Sequence, residues 1–539
     1  MKSVDDYPNQ PIETGDRKGI GSRGFVVGSL TGCSRVLGLL RTVAESAVLG
    51  AGAKPIADAF FLAFRVPNFF RRLTAEGAFA QAFIPVLAQF QETGTREELE
   101  EFVRVVAGNF GVVLLVVCVL GSVFAPALIT VFTVGSTSSW VADGRFDLAS
   151  GLLVVMFPYL GLISFTAFLG SVLNSFNRFF VPAFIPVILN VAMICAMLFG
   201  TTWFAERAYA LAWAVILAGV IQLLWHFPSL VSLRLLKLPK VNWRLPGFTQ
   251  MMKLFGPAVF AASVGQINIL VGTQIAASLV IGSVSWLYYA DRLIELPVGM
   301  IAIALQTVIL PSIYKLHNRG DQEGFRSHLS WGAQVGIILG LPAAVGLFVL
   351  STPLTATLFH RPPGFPFGTE FIWEDVEKVA VALRAFAVGV VPLMLVKIFA
   401  PGFFAKKDTK TPFYYASISV AVNIVVSLLL FKFIHHVGIA IATTVAAIVH
   451  ATLLMSGLMR RGDFKISHSI VKVCVQTSIA CACMVIVLHF LRPLDSLWVD
   501  FSMWSRIVWL LVLVGAGMVT YFVVGLAVGL RPRQLTGPN

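Results

Sequence analysis

Charged residues are scarce in this chain, at 12% of 539 positions, whereas hydrophobic residues reach 57% and the mean hydropathy is +0.84. Soluble domains carry about 25% charged residues, so the composition excludes an ordinary water-soluble core. Segments that alternate apolar and polar residues are missing as well, and this excludes a transmembrane β-barrel. Apolar blocks of about 20 residues, each long enough to cross about 30 Å of hydrocarbon as a helix, instead predict an all-α polytopic membrane protein.

The sequence also lacks the patterns of catalysis and metal binding. Its nine histidines form no HExxH spacing, and its six cysteines lie in apolar runs without a CxxC motif. It has no Walker loop, no GxGxxG after a strand, and no pair of loop aspartates of the kind that a metal-dependent transferase uses. We therefore expect no enzyme activity, no metal and no cofactor.

Hydropathy places fourteen spans along the chain. They lie near 24–49, 58–90, 104–134, 147–173, 181–204, 208–235, 250–282, 285–314, 328–352, 379–400, 412–431, 437–459, 468–491 and 506–530. A weak internal repeat relates the second span, with Arg65 and then Pro85, to the eighth, with Arg292 and then Pro311. A displacement of six spans predicts two six-helix lobes of the same orientation around a central cavity, with two extra helices at the C-terminus.

The predicted organisation follows from these spans. It comprises a soluble tail (1–23), an N-lobe (24–235), a linker (236–249), a C-lobe (250–460), the last two spans (461–530) and a C-terminal tail (531–539). Between spans, 24 Lys and Arg residues lie on the side of the termini and eight on the other side. This asymmetry predicts cytoplasmic termini, and it accounts for the net charge of +13 without a nucleic-acid partner.

Eight basic residues fall within spans or at their edges: Arg35, Arg41, Arg65, Arg71, Arg72, Arg292, Arg384 and Lys397. The stems of those near span ends can extend towards the lipid headgroups, as for Arg65, Arg72, Arg384 and Lys397. The deeper ones are Arg35, Arg41, Arg71 and Arg292. Because a central arginine costs about 2.5–3.5 kcal/mol on insertion scales, the deep ones must line a hydrated cavity or pair with acids.

Acids of the same spans are available as partners, namely Glu45, Asp58, Glu76, Asp291 and Glu295. Glu295 lies three residues after Arg292, within side-chain reach on a helix. Guanidinium groups stay charged and present a planar fork that matches phosphate oxygens. Several of them around one cavity predict an anionic substrate that carries a phosphate or diphosphate.

Six motifs resemble the MurJ (MviN) family. They are Ser34-Arg35-Val36-Leu37-Gly38, Ala57-Asp58-Ala59-Phe60-Phe61, Arg65-Val66-Pro67-Asn68, Arg71-Arg72 with Ala75-Glu76-Gly77-Ala78-Phe79, Ser285-Trp286 with Tyr288-Tyr289-Ala290-Asp291-Arg292, and Ala400-Pro401-Gly402-Phe403 with Lys410-Thr411-Pro412. The resemblance covers nearly the whole chain from about residue 24. That family comprises the lipid II flippases of bacterial peptidoglycan synthesis, within the multidrug/oligosaccharidyl-lipid/polysaccharide exporter superfamily.

The resemblance implies a V-shaped pair of lobes in the bacterial plasma membrane, with a groove for the polyprenyl tail at the last two spans. It implies that Arg35, Arg41, Arg71 and Arg292 bind lipid II, and that Asp58 is an essential acid at the exterior end of the second span. Supporting or gating roles fall to Ser34, Asp58, Arg65, Arg72, Glu76, Asp291 and Glu295. Partners would be lipid II, membrane lipids and, as candidates, cell-wall synthesis or division proteins.

Three other functions compete with this interpretation. A flippase for another polyprenyl-linked oligosaccharide would need the same physics, and a membrane scaffold would not need buried arginines. A drug antiporter of the same superfamily should carry acidic cavity residues. The expected mechanism is alternating access, in which bound anion screens repulsion among the arginines and lets the loaded protein close.

Overall fold

The computed structural model describes residues 17–535 and 537, apart from 53, 75–77 and 363–369. All the regular secondary structure in this part of the chain is helical, which confirms the predicted fold class. Nine helical segments there are long and apolar enough to cross a membrane, and the helices Trp373–Ala387 and Val390–Phe404, which meet at a bend of 42°, make a tenth. Fourteen spans are compatible with these segments, because Lys410–Arg460 covers two predicted spans and the helices Arg17–Leu49, Ile56–Thr74 and Pro246–Ala277 lie outside this set.

Ten helices make up the N-lobe. They are α1 (Arg17–Leu49), α2 (Ile56–Thr74), α3 (Ala78–Thr93), α4 (Arg96–Val123), α5 (Ala125–Phe132), α6 (Thr137–Ala142), α7 (Arg145–Met156), α8 (Pro158–Ser175), α9 (Phe180–Cys195) and α10 (Arg207–Ser232). The predicted span 58–90 corresponds to α2 and α3, and the span 147–173 to α7 and α8. Helix α1 begins at Arg17, so it starts before the predicted end of the soluble tail at residue 23.

Eight helices make up the C-lobe, and three more follow it. The C-lobe has α11 (Pro246–Ala277), α12 (Ser283–Pro297), α13 (Ile303–Asn318), α14 (Gln322–Val349), α15 (Ser351–Phe359), α16 (Trp373–Ala387), α17 (Val390–Phe404) and α18 (Lys410–Arg460). The C-terminal helices are α19 (His468–Leu491), α20 (Leu497–Asp500) and α21 (Met503–Ala527). One π-helical turn at Val298–Ala302 joins α12 to α13.

Helix α18 consists of two arms that fold back on each other. Its backbone leaves helical geometry at Ile434 and at His435, which has φ 50°. The Ser419 hydroxyl on one arm donates to the Ala446 carbonyl on the other at 2.8 Å, so the arms run antiparallel. They correspond to the separate predicted spans 412–431 and 437–459.

The hydrophobic core shows how the lobes meet. One continuous cluster joins both lobes through residues such as Phe61, Trp140, Tyr289 and Phe359. Two further clusters lie apart from it, one around Phe83 that combines N-lobe residues with Phe248 and Met251 of α11, and one mainly in the C-lobe around Phe399. The lobes therefore share one core at one end of the bundle, whereas at the other end only the start of α11 joins the N-lobe cluster.

We call the joined end the distal end. It holds the loop between α1 and α2 (residues 50–55), Gly282 and His360. The opposite end, which we call the terminal end, holds the start of α14 and the C-terminal residues, since the Trp331 indole donates to the Gln534 carbonyl at 2.9 Å.

Candidate functional site

A cavity of about 740 Å³ lies between the two lobes. Six arginines contribute to its wall: Arg35, Arg41, Arg65, Arg71, Arg72 and Arg292. Ser34, Asp291 and Glu295 also line it. Since the lining cations outnumber the lining carboxylates, the cavity suits an anion.

The structure thus brings together the four arginines that the sequence places deep in spans. It also adds Arg65 and Arg72, which the sequence places nearer to span ends. Arg384 lies elsewhere, where it donates to Ser351 Oγ at 2.8 Å and Thr352 Oγ1 at 3.1 Å. Glu76 falls outside the described residues.

Arg41 is held in a buried network at the α1 face of the cavity. Its Nε lies 3.1 Å from Glu45 Oε1, one helical turn further along α1. Its Nη1 donates to Asn190 Oδ1 at 3.1 Å, and the Tyr288 hydroxyl donates to Glu45 Oε2 at 3.0 Å. Arg41 is 6% exposed and Glu45 is fully buried. The guanidinium is therefore fixed and its charge is balanced.

Arg292 forms a more open pair. Its Nη1 lies 2.6 Å from Glu295 Oε2, and the side chains are 32% and 44% exposed. The guanidinium carbon also lies 4.9 Å from the centre of the Tyr288 ring. The i,i+3 spacing predicts this pair, and Arg292 lines the cavity beside it.

Arg35 crosses the cavity to the opposite lobe. Its Nη1 donates to the backbone carbonyl of Glu295 at 3.4 Å. A Cβ atom added at Gly299, in the π-helical turn, would lie 1.8 Å from that same Nη1. A larger residue at position 299 would displace the guanidinium from this position, so the turn and the arginine fit each other as they stand.

The remaining cavity arginines all belong to α2. Arg65 Nη1 donates to Thr273 Oγ1 at 2.7 Å and so links α2 of the N-lobe to α11 of the C-lobe. Arg71 Nε donates to Asn68 Oδ1 at 3.2 Å on its own helix, and Arg72 is exposed to the cavity. All three therefore line the cavity from the side of the N-lobe.

Asp58 lies at the distal end, apart from the cavity wall. Its carboxylate accepts hydrogen bonds from the backbone N–H groups of Gly282 at 2.8 Å and Ser285 at 2.9 Å, and from the Ser285 hydroxyl at 2.5 Å. Arg145 approaches it at 3.4 Å. A carboxylate at the N-terminus of a helix is stabilised by the helix dipole, so this N-lobe acid caps α12 of the C-lobe.

Sequence reasoning missed three residues that orient the arginines. Asn190 accepts from Arg41 and donates to the Ser34 carbonyl at 3.0 Å, and Tyr288 and Thr273 complete the contacts described above. Asn190 could have been noticed in the sequence, because it is a polar residue within an apolar run.

Comparisons with known proteins agree with this geometry. The family model described as lipid II flippase MurJ matches residues 46–509. A Haemophilus influenzae protein named probable lipid II flippase MurJ is 39% identical over 520 residues, which cover 95% of this chain and 100% of that protein.

Solved structures show the same fold. One described as lipid II flippase MurJ in an inward closed conformation has a TM-score of 0.76 and 26% identity, covering 93% of this chain and 98% of its own. An inward-facing MATE family transporter of the MOP superfamily has a TM-score of 0.64 at 15% identity, covering 81% and 98% respectively, and so shares the fold alone. Because the family model spans most of the chain, this protein belongs to the MurJ family of lipid II flippases.

Proposed function

We propose that this protein moves lipid II from the cytoplasmic to the outer leaflet of the bacterial plasma membrane by alternating access. The observation that carries the proposal is the set of six arginines around one inter-lobe cavity whose distal end is closed. A diphosphate with its attached sugars and peptide would enter from the terminal end, which we assign to the cytoplasm from the charge asymmetry. No bond is made or broken in this cycle.

We assign direct contact with the diphosphate to Arg35, Arg41, Arg71 and Arg292. Arg71 and Arg292 present guanidinium groups at the cavity wall, and Arg41, held by Glu45 and Asn190, presents one whose position is fixed. Arg65 and Arg72 add to the attraction, while Ser34, Asp291 and Glu295 shape the wall. Glu76 keeps the supporting or gating role that its motif implies.

Repulsion among these arginines opposes closure of the empty cavity at the terminal end. A bound diphosphate removes that repulsion, so closure is favoured only in the loaded protein. Distal opening must then break the contacts of Asp58, to which we assign the gating role.

We assign the polyprenyl tail to α19 and α21. These helices pack on each other and on α14, and residues such as Val519 and Phe522 leave apolar faces exposed. The tail can stay in hydrocarbon beside them while the headgroup crosses. Cell-wall synthesis and division proteins remain candidate partners.

Depletion of the protein in growing cells tests the direction of transport. Lipid II should accumulate in the inner leaflet, as measured by its protection from an externally added lipid II-degrading enzyme. Accumulation in the outer leaflet would contradict the proposal, and accumulation of a different polyprenyl-linked glycan would reassign the cargo.

A matched pair of variants separates transport from scaffolding. Arg71→Ala removes a cavity charge, whereas Arg178→Ala removes an exposed arginine outside the cavity. The first should fail to restore growth to depleted cells and the second should restore it, at equal membrane levels. A scaffold would tolerate both substitutions.

A further inference from the structure

The distal closure contains a second acid besides Asp58, and it comes from the opposite lobe. Asp375, at the start of α16, is 1% exposed. Its Oδ1 accepts a hydrogen bond from the backbone N–H of Gly52 at 2.8 Å, in the loop between α1 and α2. The C-lobe thus holds the N-lobe here through a buried carboxylate.

Donors of its own lobe fix the position of this carboxylate. The Trp286 indole donates to Asp375 Oδ1 at 2.7 Å, and the Ile372 N–H donates to Oδ2 at 3.0 Å. Trp286 is itself packed against the His436 ring, with centroids 5.0 Å apart. These contacts lie within the C-lobe, so they can persist when the lobes separate at this end.

Backbone atoms of the two lobes touch beside Asp375. A Cβ atom at Gly52 would lie 2.7 Å from Asp375 Oδ1 and 2.7 Å from the Trp286 ring. Across the interface, Gly282 has φ +95°, and a Cβ there would lie 2.7 Å from Gly52 Cα. The closed distal end therefore requires glycine at position 52.

The same loop is held at a second point. The Tyr289 hydroxyl donates to the Gly50 carbonyl at 2.9 Å, so α12 binds the loop two residues before Asp375 does. Gly282, whose N–H binds Asp58, lies against the loop as well. One short N-lobe loop is thus bound both by α12 and by α16.

We propose that Asp375 and Gly52 form a second distal latch, reciprocal to Asp58, which must open for cargo to leave on the distal side. Asp58 extends from the N-lobe to bind the C-lobe, whereas Asp375 extends from the C-lobe to bind the N-lobe. Opening breaks the Gly52 bond and leaves the Trp286 and Ile372 bonds in place, so the carboxylate stays positioned for reclosure. Asp375 is a positioning residue, since it acts on the lobes and not on the cargo. The proposal rests on the proposed function only in taking the protein to work by alternating access.

Accessibility of the cavity from the distal side tests the latch without cargo. Thr443, which lines the cavity, is replaced by cysteine in a variant whose six native cysteines are removed. A membrane-impermeant thiol reagent is then added to vesicles of either orientation. Asp375→Ala and Gly52→Ala should each raise the labelling rate from the distal side about tenfold, the effect of losing one hydrogen bond to a charged group. Labelling from the terminal side should fall.

Controls match each substitution. Gly346→Ala adds a methyl group where nothing lies within 4 Å, and Glu374→Gln changes the exposed acid next to Asp375. Both should label at the parent rate. Asp375→Asn keeps the shape of the side chain and the oxygen that accepts from Gly52, so its labelling rate should lie between the parent's rate and the tenfold higher rate. This variant replaces Asp375→Ala in the test if the alanine variant fails to fold.

One variant in each lobe decides whether the latch exists. Parent labelling rates in both Gly52→Ala and Asp375→Asn, at unchanged melting temperature, would overturn the latch. A failure of the parent protein to move lipid II in vesicles would overturn the proposed function instead, because the labelling assay contains no cargo.

Discussion

Arg41 and Glu45 form a buried ion pair within the cavity wall, with 3.1 Å between Arg41 Nε and Glu45 Oε1. The sequence groups Arg41 with Arg35 and Arg71 as deep arginines that line a cavity or pair with acids. The structure separates them, because Glu45 is fully buried and would lose its balancing charge. The three substitutions should therefore differ in stability.

Arg41→Ala should destabilise the protein. Removing one member of a buried pair costs about 3–5 kcal/mol, since the remaining charge is unpaired. The melting temperature of the purified variant measures the loss, and adding Glu45→Gln should recover part of it. A melting temperature equal to the parent's in Arg41→Ala would mean that water reaches Glu45.

Arg35→Ala and Arg71→Ala should fold normally and fail in function. Arg35 binds a backbone carbonyl across the cavity, and Arg71 binds Asn68 on its own helix and lines the cavity, where water can replace a lost side-chain contact. Each variant should fail to restore growth to a depleted strain, although its expression level and melting temperature equal those of the parent protein. Lysine should restore growth only in part, because it lacks the bidentate fork. Loss of the folded protein in both variants would make these arginines structural.

Glu295→Gln should impair function less than Arg292→Ala. The pair is partly exposed, and exposed pairs contribute about 0–1 kcal/mol to stability, so neither change should alter the melting temperature much. Glutamine can still accept a hydrogen bond from Arg292 and orient it. Complementation at graded expression levels ranks the two variants. The reverse ranking would assign Glu295 a role of its own.

Hydropathy predicted the spans well because burial in lipid imposes length and apolarity on each helix. The predicted span 208–235 corresponds to α10 at Arg207–Ser232, for example. Contacts between distant parts of the chain were not predicted. The π-helical turn at Val298–Ala302 accompanies the approach of Arg35 to Gly299, a contact between distant parts of the chain.

The cavity arginines could be predicted because a charge deep in a span is too costly to face lipid and must therefore face a cavity or an acid. The contacts that close the distal end could not be predicted from the sequence. Arg145 and Arg506 were counted among the eight basic residues that lie between spans on the side opposite the termini. The structure instead buries Arg145 beside Asp58 and Arg506 against the carbonyls of Ala356 and His360. Asp375 carries no motif, since its partner Gly52 belongs to the other lobe.

The orientation of the termini can be measured with two single cysteines. Lys407 lies in the turn between α17 and α18 at the terminal end, and Glu377 is exposed near the start of α16 at the distal end. An impermeant thiol reagent added outside intact cells should label position 377 and not position 407. Labelling of position 407 alone would invert the proposed topology.

Acidification should weaken the junction between the C-lobe and α21 through His360. Arg506 Nη1 donates to His360 Nδ1 at 2.9 Å, which requires that nitrogen to be unprotonated. Burial, followed by the charges of Arg506 and Arg361, lowers the pKa of His360 from 6.5 to about 4. In the unfolded chain the imidazole returns to its ordinary pKa, so between about pH 6.5 and pH 4 the unfolded state binds more protons. The unfolding free energy should therefore be greatest above this window and fall as pH falls through it.

His360→Asn isolates this contribution, because its amide oxygen can still accept from Arg506 but does not titrate. The melting temperature of the parent should drop between pH 7.5 and pH 5, and the variant should lose part of that drop. His468→Asn, at an exposed histidine at the start of α19, serves as the matched control and should keep the parent's pH profile. If His360→Asn shows the full drop, the imidazole is not the group through which acid destabilises this junction.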